Sequence, residues 1–184
     1  MDRGLVDRAR SGDGEAFDAL ARTVGDRCMA IAYRILRDAD LADDAVQAAL
    51  ITAWRELRTL RDPDRFEPWL HRILTNECYA EARRRTRWSA DIRVLPVDRE
   101  HDPGGILSVN DRDQLDRAFR RLTLEQRAVL VFHHYLDLPV VEVADRLGIP
   151  VGTVKSRLFH ASAALRASIE ADARTPSDSQ ERFA

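Results

Sequence analysis

Apolar residues recur three and four positions apart along most of this chain, and no stretch keeps the strict alternation of a strand, so the pattern predicts helices throughout. Asp13 stands where it can cap a helix whose apolar stripe is Phe17, Leu20, Val24, Cys28, Ile31, Ala32 and Ile35. Arg37-Asp38-Ala39-Asp40 interrupts the period. A second helix is expected from residue 41 to about 57, with Ala45, Ala49 and Ala53 beside Leu50, Trp54 and Leu57 on its apolar side. Arg61-Asp62-Pro63-Asp64 reads as a turn. A third helix begins near Phe66, tolerates Pro68 in its first turn, carries Trp69, Ile73, Asn76 and Tyr79, and ends in Arg83, Arg84, Arg85 and Arg87 before Trp88.

The helical period is lost over residues 89–110, where Pro96, Pro103, Gly104 and Gly105 are interspersed with Asp91, Asp98, Glu100 and Asp102. Such a segment is too long and polar for a routine loop inside one compact domain, and it reads as a flexible acidic linker. Beyond it a helix is expected over 111–121. Thr123 with Gln126 three positions later is a capping box opening a helix through 135. Asp137-Leu138-Pro139 turns the chain into a helix over 140–147, Gly148-Ile149-Pro150 turns it again, and a last helix runs from 151 to about 167. The polar run from Thr175 to Gln180 reads as a disordered tail. The expected fold is therefore all-α: two small helical domains, 1–88 and 111–170, joined by the linker 89–110 and followed by a disordered tail, 171–184.

Composition supports a packed protein: of 184 residues, 45% are hydrophobic and 33% charged. The amino terminus carries no apolar run, and no stretch is long enough to span a membrane, so a soluble, cytoplasmic protein without membrane insertion is expected. A net charge of −2 does not advertise a nucleic-acid binder, but DNA responds to local patches rather than to the sum. Cys28 and Cys78 have neither metal nor redox spacing and read as core residues of a reduced compartment.

The most informative segment runs from Val140 to Arg166. Val143, Ala144 and Leu147 supply one short helix with an inward face, Gly148 the sharp reversal, Ile149 a corner plug, and Val154 with Leu158 the inward face of a second helix. That is a helix-turn-helix layout, and an ordinary solvated helical hairpin shares much of the pattern. Its outer face offers Thr153, Lys155, Ser156, Arg157 and His160, side chains that bind phosphates or read base edges. The arginine run ending at Arg87 is a second candidate for nucleic-acid contact, with Tyr79 and Trp88 near enough to stack on bases; favourable placement on a helix C-terminus is its structural alternative.

Four blocks together resemble the extracytoplasmic-function group of bacterial sigma factors: Arg8-Ala9-Arg10-Ser11-Gly12-Asp13 with Ala16-Phe17; Ala42-Asp43-Asp44-Ala45-Val46-Gln47 with Ala53-Trp54-Arg55; Trp69-Leu70-His71-Arg72-Ile73 with Asn76; and the run from Gly148 to Leu158. The resemblance covers residues 5 to about 166. It implies a factor that docks on core RNA polymerase, recognises −35 and −10 promoter elements, and promotes DNA opening. The implied polymerase contacts are Asp44 and Gln47 on the clamp coiled coil of the largest subunit, with the flap of the second-largest subunit a further partner. The implied −10 contacts are Asn76, Tyr79, Arg83 and Arg84, with Asn76 at the base-contacting position. The implied −35 contacts are Thr153, Lys155, Ser156, Arg157, Phe159 and His160. An anti-sigma factor is an expected partner, and the linker resembles the segment that threads toward the polymerase active site.

The chain departs from the family pattern in having Ala48 and Ala49 where an acid usually follows Gln47, which implies an altered clamp contact. His160 and Ser162 stand where further arginines are common, which lowers the expected phosphate attraction. Leu136-Asp137-Leu138-Pro139 replaces an aromatic-acidic-glycine turn. A free-standing regulator would use the helix-turn-helix without needing the Asp44–Gln47 helix or the Asn76 element. An enzyme is disfavoured: His71, Glu77, Cys78 and Glu81 show no metal-ligand spacing or nucleophile–base pair, and His133-His134 read as surface residues. Neither a cofactor nor a metal is expected.

Overall fold

The computed structural model describes residues 1–91 and 109–174, and within them every regular element is helical. Four helices form the first half: α1 (Arg3–Arg10), α2 (Gly14–Leu36), α3 (Ala39–Glu56) and α4 (Phe66–Asp91). Four more form the second: α5 (Val109–Arg120), α6 (Leu124–Leu130, continued by a wider π turn over Val131–Tyr135), α7 (Val140–Leu147) and α8 (Val151–Arg174). The expectations of a flexible linker and of a disordered tail concern residues largely outside those described.

Short side chains that satisfy free amides set the starts of α1, α2, α3 and α6. Asp2 accepts from the Gly4 amide at 2.8 Å, Asp13 from Ala16 at 3.1 Å, and Asp38 from Leu41 at 3.0 Å. Asp38, which the apolar pattern placed in a break, therefore starts α3. Asp62 opens the short 3-10 turn Pro63–Arg65 that feeds α4. The Thr123–Gln126 capping box is complete: the Gln126 amide donates to Thr123 Oγ1 at 3.3 Å, and the Thr123 amide donates to Gln126 Oε1 at 3.0 Å. The helix after it was expected to run unbroken through residue 135. Instead, from Val131 the backbone widens, and the Leu136 amide reaches back to the Val131 carbonyl.

The two halves bury side chains in one continuous core. Val129, Phe132, Val143 and Val154 of the second half join a cluster that contains Leu20, Ile35, Leu70 and Leu74 of the first. A smaller cluster of Leu122, Leu130 and Ala161, with Phe119, Leu158 and Leu165, holds α5, α6 and α8 together. The halves are also joined by cations. Arg127 on α6 donates to the Ile35 and Leu36 carbonyls at 2.7 and 3.3 Å, capping the carboxyl end of α2 from outside that helix. Arg37 follows in a left-handed backbone conformation (φ 59°), pairs with Asp116 of α5, and lies against the Tyr33 and Phe119 rings. Arg34 stacks over Tyr135, 3.8 Å from its centroid.

Candidate nucleic-acid interface

The helix-turn-helix forms as the apolar pattern implies. Val143 and Ala144 of α7 and Val154 of α8 are buried. Gly148 takes a left-handed conformation (φ 66°), and the Ile149 amide returns to the Ala144 carbonyl at 3.0 Å. The inward stripe of α8 continues through Leu158, Ala161, Leu165 and Ser168, and this sorts the candidate residues by side. Lys155, Ser156, Phe159 and His160 are exposed, and Phe159, at 71% exposure, is the most open of the exposed large hydrophobic residues. Ser156 donates to the Thr153 carbonyl at 3.1 Å, a local bond that a competing acceptor can replace. Thr153 and Arg157 are half-buried on the flank of α8.

On α4, Arg72, Asn76, Tyr79, Arg83 and Arg87 recur at helical spacing and form one stripe. All but the half-buried Tyr79 are exposed. The arginine run divides by partner. Arg84 pairs with Glu81 at 2.8 Å and approaches Glu77 at 4.0 Å, while Arg85 pairs with Asp38. Arg83 and Arg87 pair with no carboxylate among the described residues, so their charge is available to an anion. Arg84, expected at the −10 site, is thus held by carboxylates, and Arg72, not expected there, joins the stripe. Its spacing from Asn76 is the signal in the sequence that marks it.

The second half packs over part of this stripe. The Arg72 guanidinium lies so close to Gly148 that a Cβ there would stand 2.8 Å from Arg72 Cζ. Farther along, burial pushes the Tyr79 phenol up to about 12, with Glu125 adding to the shift and Arg157 opposing it. On the inner side of α4, Arg146 of α7 donates to Nδ1 of the buried His71, at 2.9 Å. Arg65 before α4 pairs with Asp145 of α7.

On α3, Asp44 and Gln47 are exposed and share a stripe with Ile51 and Trp54. The apolar pattern had placed Trp54 inward. It is 40% exposed, because Ala45, Ala49 and Ala53 form the inner face, and its ring rests on Phe17 with centroids 5.0 Å apart. Ala49 is buried, so an acid could not be accommodated there without disturbing the core. Both cysteines are buried, and burial pushes Cys28 up to about 11 and Cys78 up to about 12, which suits inert core thiols. His133 is half-buried with Nδ1 2.8 Å from the Leu138 carbonyl, and His134 is exposed. No helix among the described residues is long and apolar enough to cross a membrane.

Comparison with known families matches Sigma-70 region 2 to residues 20–88 and Sigma-70, region 4 to residues 112–165. The RNA polymerase sigma-H factor of Pseudomonas aeruginosa is 31% identical over 178 residues, covering 90% of this chain and 92% of that protein. The ECF RNA polymerase sigma factor SigM of Mycobacterium tuberculosis is 35% identical over 158 residues, covering 84% of this chain and 78% of that one. This chain belongs to the extracytoplasmic-function group of sigma factors. It is a promoter-recognising factor of RNA polymerase, an initiation factor and not an enzyme. The solved structures similar to this sigma factor include CnrH in complex with the cytosolic domain of CnrY, at 28% identity and a TM-score of 0.65, covering 93% of this chain and 98% of that one. Another is the sigma factor RpoE in complex with the anti-sigma factor NepR from Bartonella quintana, at 26% identity and a TM-score of 0.70, covering 85% and 98%. The α4 stripe falls within the region 2 match and the outer face of α8 within the region 4 match.

Proposed function

We propose that this sigma factor divides its work among three helix faces. The α4 stripe takes the −10 element through Asn76, Tyr79 and Arg83, with Arg72 and Arg87 as added phosphate contacts, and Arg84, beside the stripe, reaches the DNA only by exchanging its Glu81 carboxylate for a phosphate. The outer face and flank of α8 take the −35 element through Thr153, Lys155, Ser156, Arg157, Phe159 and His160. Asp44 and Gln47 dock α3 on the clamp coiled coil of the largest polymerase subunit, Ile51 and Trp54 extend that face, and the flap of the second-largest subunit receives the second half. The observation that carries the reading is the sorting of cations: Arg84 and Arg85 are held by carboxylates, while Arg72, Arg83, Arg87 and Lys155 have no carboxylate partner among the described residues. An anti-sigma factor completes the partners, supported by the complex of the similar RpoE with NepR. The work takes place in the cytoplasm, where the polymerase is.

Promoter-dependent transcription by purified core polymerase with and without this protein tests the whole reading; no stimulation would reject it. Within it, Asn76→Ala is expected to change base preference at one −10 position and leave stability within about 0.5 kcal/mol, because Asn76 is exposed and an amide can bond the edge of an unstacked base. Promoter libraries selected with the two proteins check this, and identical profiles would remove Asn76 from the site. Arg157→Ala is expected to cost about 1–3 kcal/mol of promoter binding and relax one −35 position, as loss of a guanine contact would. Lys155→Ala is expected to weaken binding evenly across sequences and flatten its salt dependence, as loss of a phosphate contact would. Binding measured against salt on matched and mismatched promoters separates the two, and normal affinity in the double variant would take the helix-turn-helix out of the mechanism.

A further inference from the structure

We propose that Glu81 is a positioning residue that holds Arg84 and so keeps this cation out of the sequence-independent attraction of α4 for DNA. The proposal rests on the reading of the α4 stripe as the −10 face, and it says which arginine beside that stripe the free protein withholds. Leu70, Leu74 and Cys78 line the buried side of α4, and at the next inward position, three residues after Cys78, the stripe continues in a carboxylate. Glu81 is 6% exposed. An apolar side chain would fill that position without the desolvation a carboxylate suffers there, so packing alone does not account for the charge.

One cation answers that charge. Arg84 Nη1 lies 2.8 Å from Glu81 Oε1, and Glu81 has no other ion-pair partner among the described residues. Glu77, one turn back, is 4.0 Å from Arg84 Nη2, beyond hydrogen-bonding distance, and its Oε1 accepts from Thr52 Oγ1 at 3.3 Å. The pair is unequal. The Arg84 side chain is 57% exposed, so water could satisfy it, whereas loss of Arg84 would leave Glu81 a buried carboxylate without a partner. The buried acid therefore fixes the exposed base. Arg83 and Arg87, on the stripe itself, have no such acid among the described residues and meet a phosphate with their full charge. Arg84, neutralised by Glu81, adds no phosphate contact of its own. Phosphate contacts supply affinity without sequence information, so withholding Arg84 lowers binding to arbitrary single strands and leaves a larger share of the total to base contacts such as Asn76.

The test titrates the full chain with a short fluorescent single strand of mixed sequence at several salt concentrations. Glu81→Gln keeps the size of the side chain and an oxygen that can accept from Arg84, and removes the charge. It is expected to bind the strand about fourfold more tightly at physiological salt, and to steepen the plot of log affinity against log salt by about 0.7, the increment of one further phosphate contact on a single strand. Adding Arg84→Ala to Glu81→Gln is expected to remove both gains. Unchanged or weaker binding by Glu81→Gln, or a gain that persists without Arg84, would overturn the proposal. A role confined to packing would move the Tm and leave the salt slope where it is. Nuclear magnetic resonance of the wild-type side chains needs no variant to fold: as the strand is added, the Arg83 Nε–H signal is expected to shift and the Arg84 signal to stay in place. Equal shifts in the two would overturn the proposal. Failure of the α4 reading has a different signature, because Arg83→Ala and Arg87→Ala would then leave binding of the strand unchanged, whereas failure of the Glu81 proposal alone leaves both of those variants weakened.

Discussion

Core RNA polymerase is expected to raise the affinity of this protein for promoter DNA by ~100-fold or more, and alanine at Asp44 and Gln47 to abolish that gain while leaving the weak intrinsic binding intact. Among the described residues of the two proposed faces, the cations without a carboxylate partner are Arg83 and Arg87 on α4, Lys155 and Arg157 on α8, and Arg72 beside the Gly148 turn. Binding that depends on a handful of phosphate contacts weakens steeply with salt. Docking on the polymerase would hold both halves at promoter spacing and turn the second contact into an intramolecular one. Asp44 and Gln47 are exposed on α3, on a face separate from the α4 stripe, so their loss leaves direct DNA contacts untouched. Gel-shift titrations with and without core enzyme measure both effects. Tight, sequence-specific binding by the free protein would instead mark a stand-alone regulator.

Phe132→Ala is expected to cost about 3–5 kcal/mol of folding stability, lowering the Tm by on the order of 10 °C. Phe132 is 0% exposed, lies in the cluster that both halves share, and presents its ring to His71. Truncation leaves a cavity at the contact and removes the cover that keeps His71 from water, so packing and the separation of the halves are affected together. Phe159→Ala removes the same ring from an exposed position on α8 and is expected to change stability by no more than about 0.5 kcal/mol. Urea unfolding of the two variants, followed by circular dichroism, gives the comparison. Similar small losses from both would show that Phe132 does not sit in a shared core in solution.

Most of the helices, the caps at Asp13 and Thr123 and the helix-turn-helix were legible in the residues because each is decided locally. A cap needs a carboxylate or hydroxyl and an amide two or three positions away, as at Asp13 and Thr123, and Gly148 marks a turn because a left-handed backbone disfavours a side chain. The stripe Val154–Leu158–Ala161–Leu165 likewise follows from the helical repeat alone. The resemblance to sigma factors was legible for the same reason, since its blocks are short runs at fixed spacing.

Which arginines remain available to DNA was not legible. Arg83, Arg84 and Arg85 are consecutive and chemically identical, yet Arg84 meets Glu81 on its own helix and Arg85 meets Asp38, 47 positions away. The α2 carbonyls are capped by Arg127 from 92 positions along the chain, and His71 meets Arg146 across 75. Trp54 was misplaced because alanines make the inner face of α3, and a helix that packs closely through small residues leaves its largest side chain outside. Sequence by itself thus determined most of the helices and the identity of the family, because hydrogen bonding and periodicity act over about four neighbouring residues, but it did not set α1 apart and it ended α8 near residue 167 instead of Arg174. Tertiary structure alone decided which charges are neutralised, which faces are covered, and that one core runs through both halves, because ion pairing and burial depend on distance in space, and chain separation carries no such information.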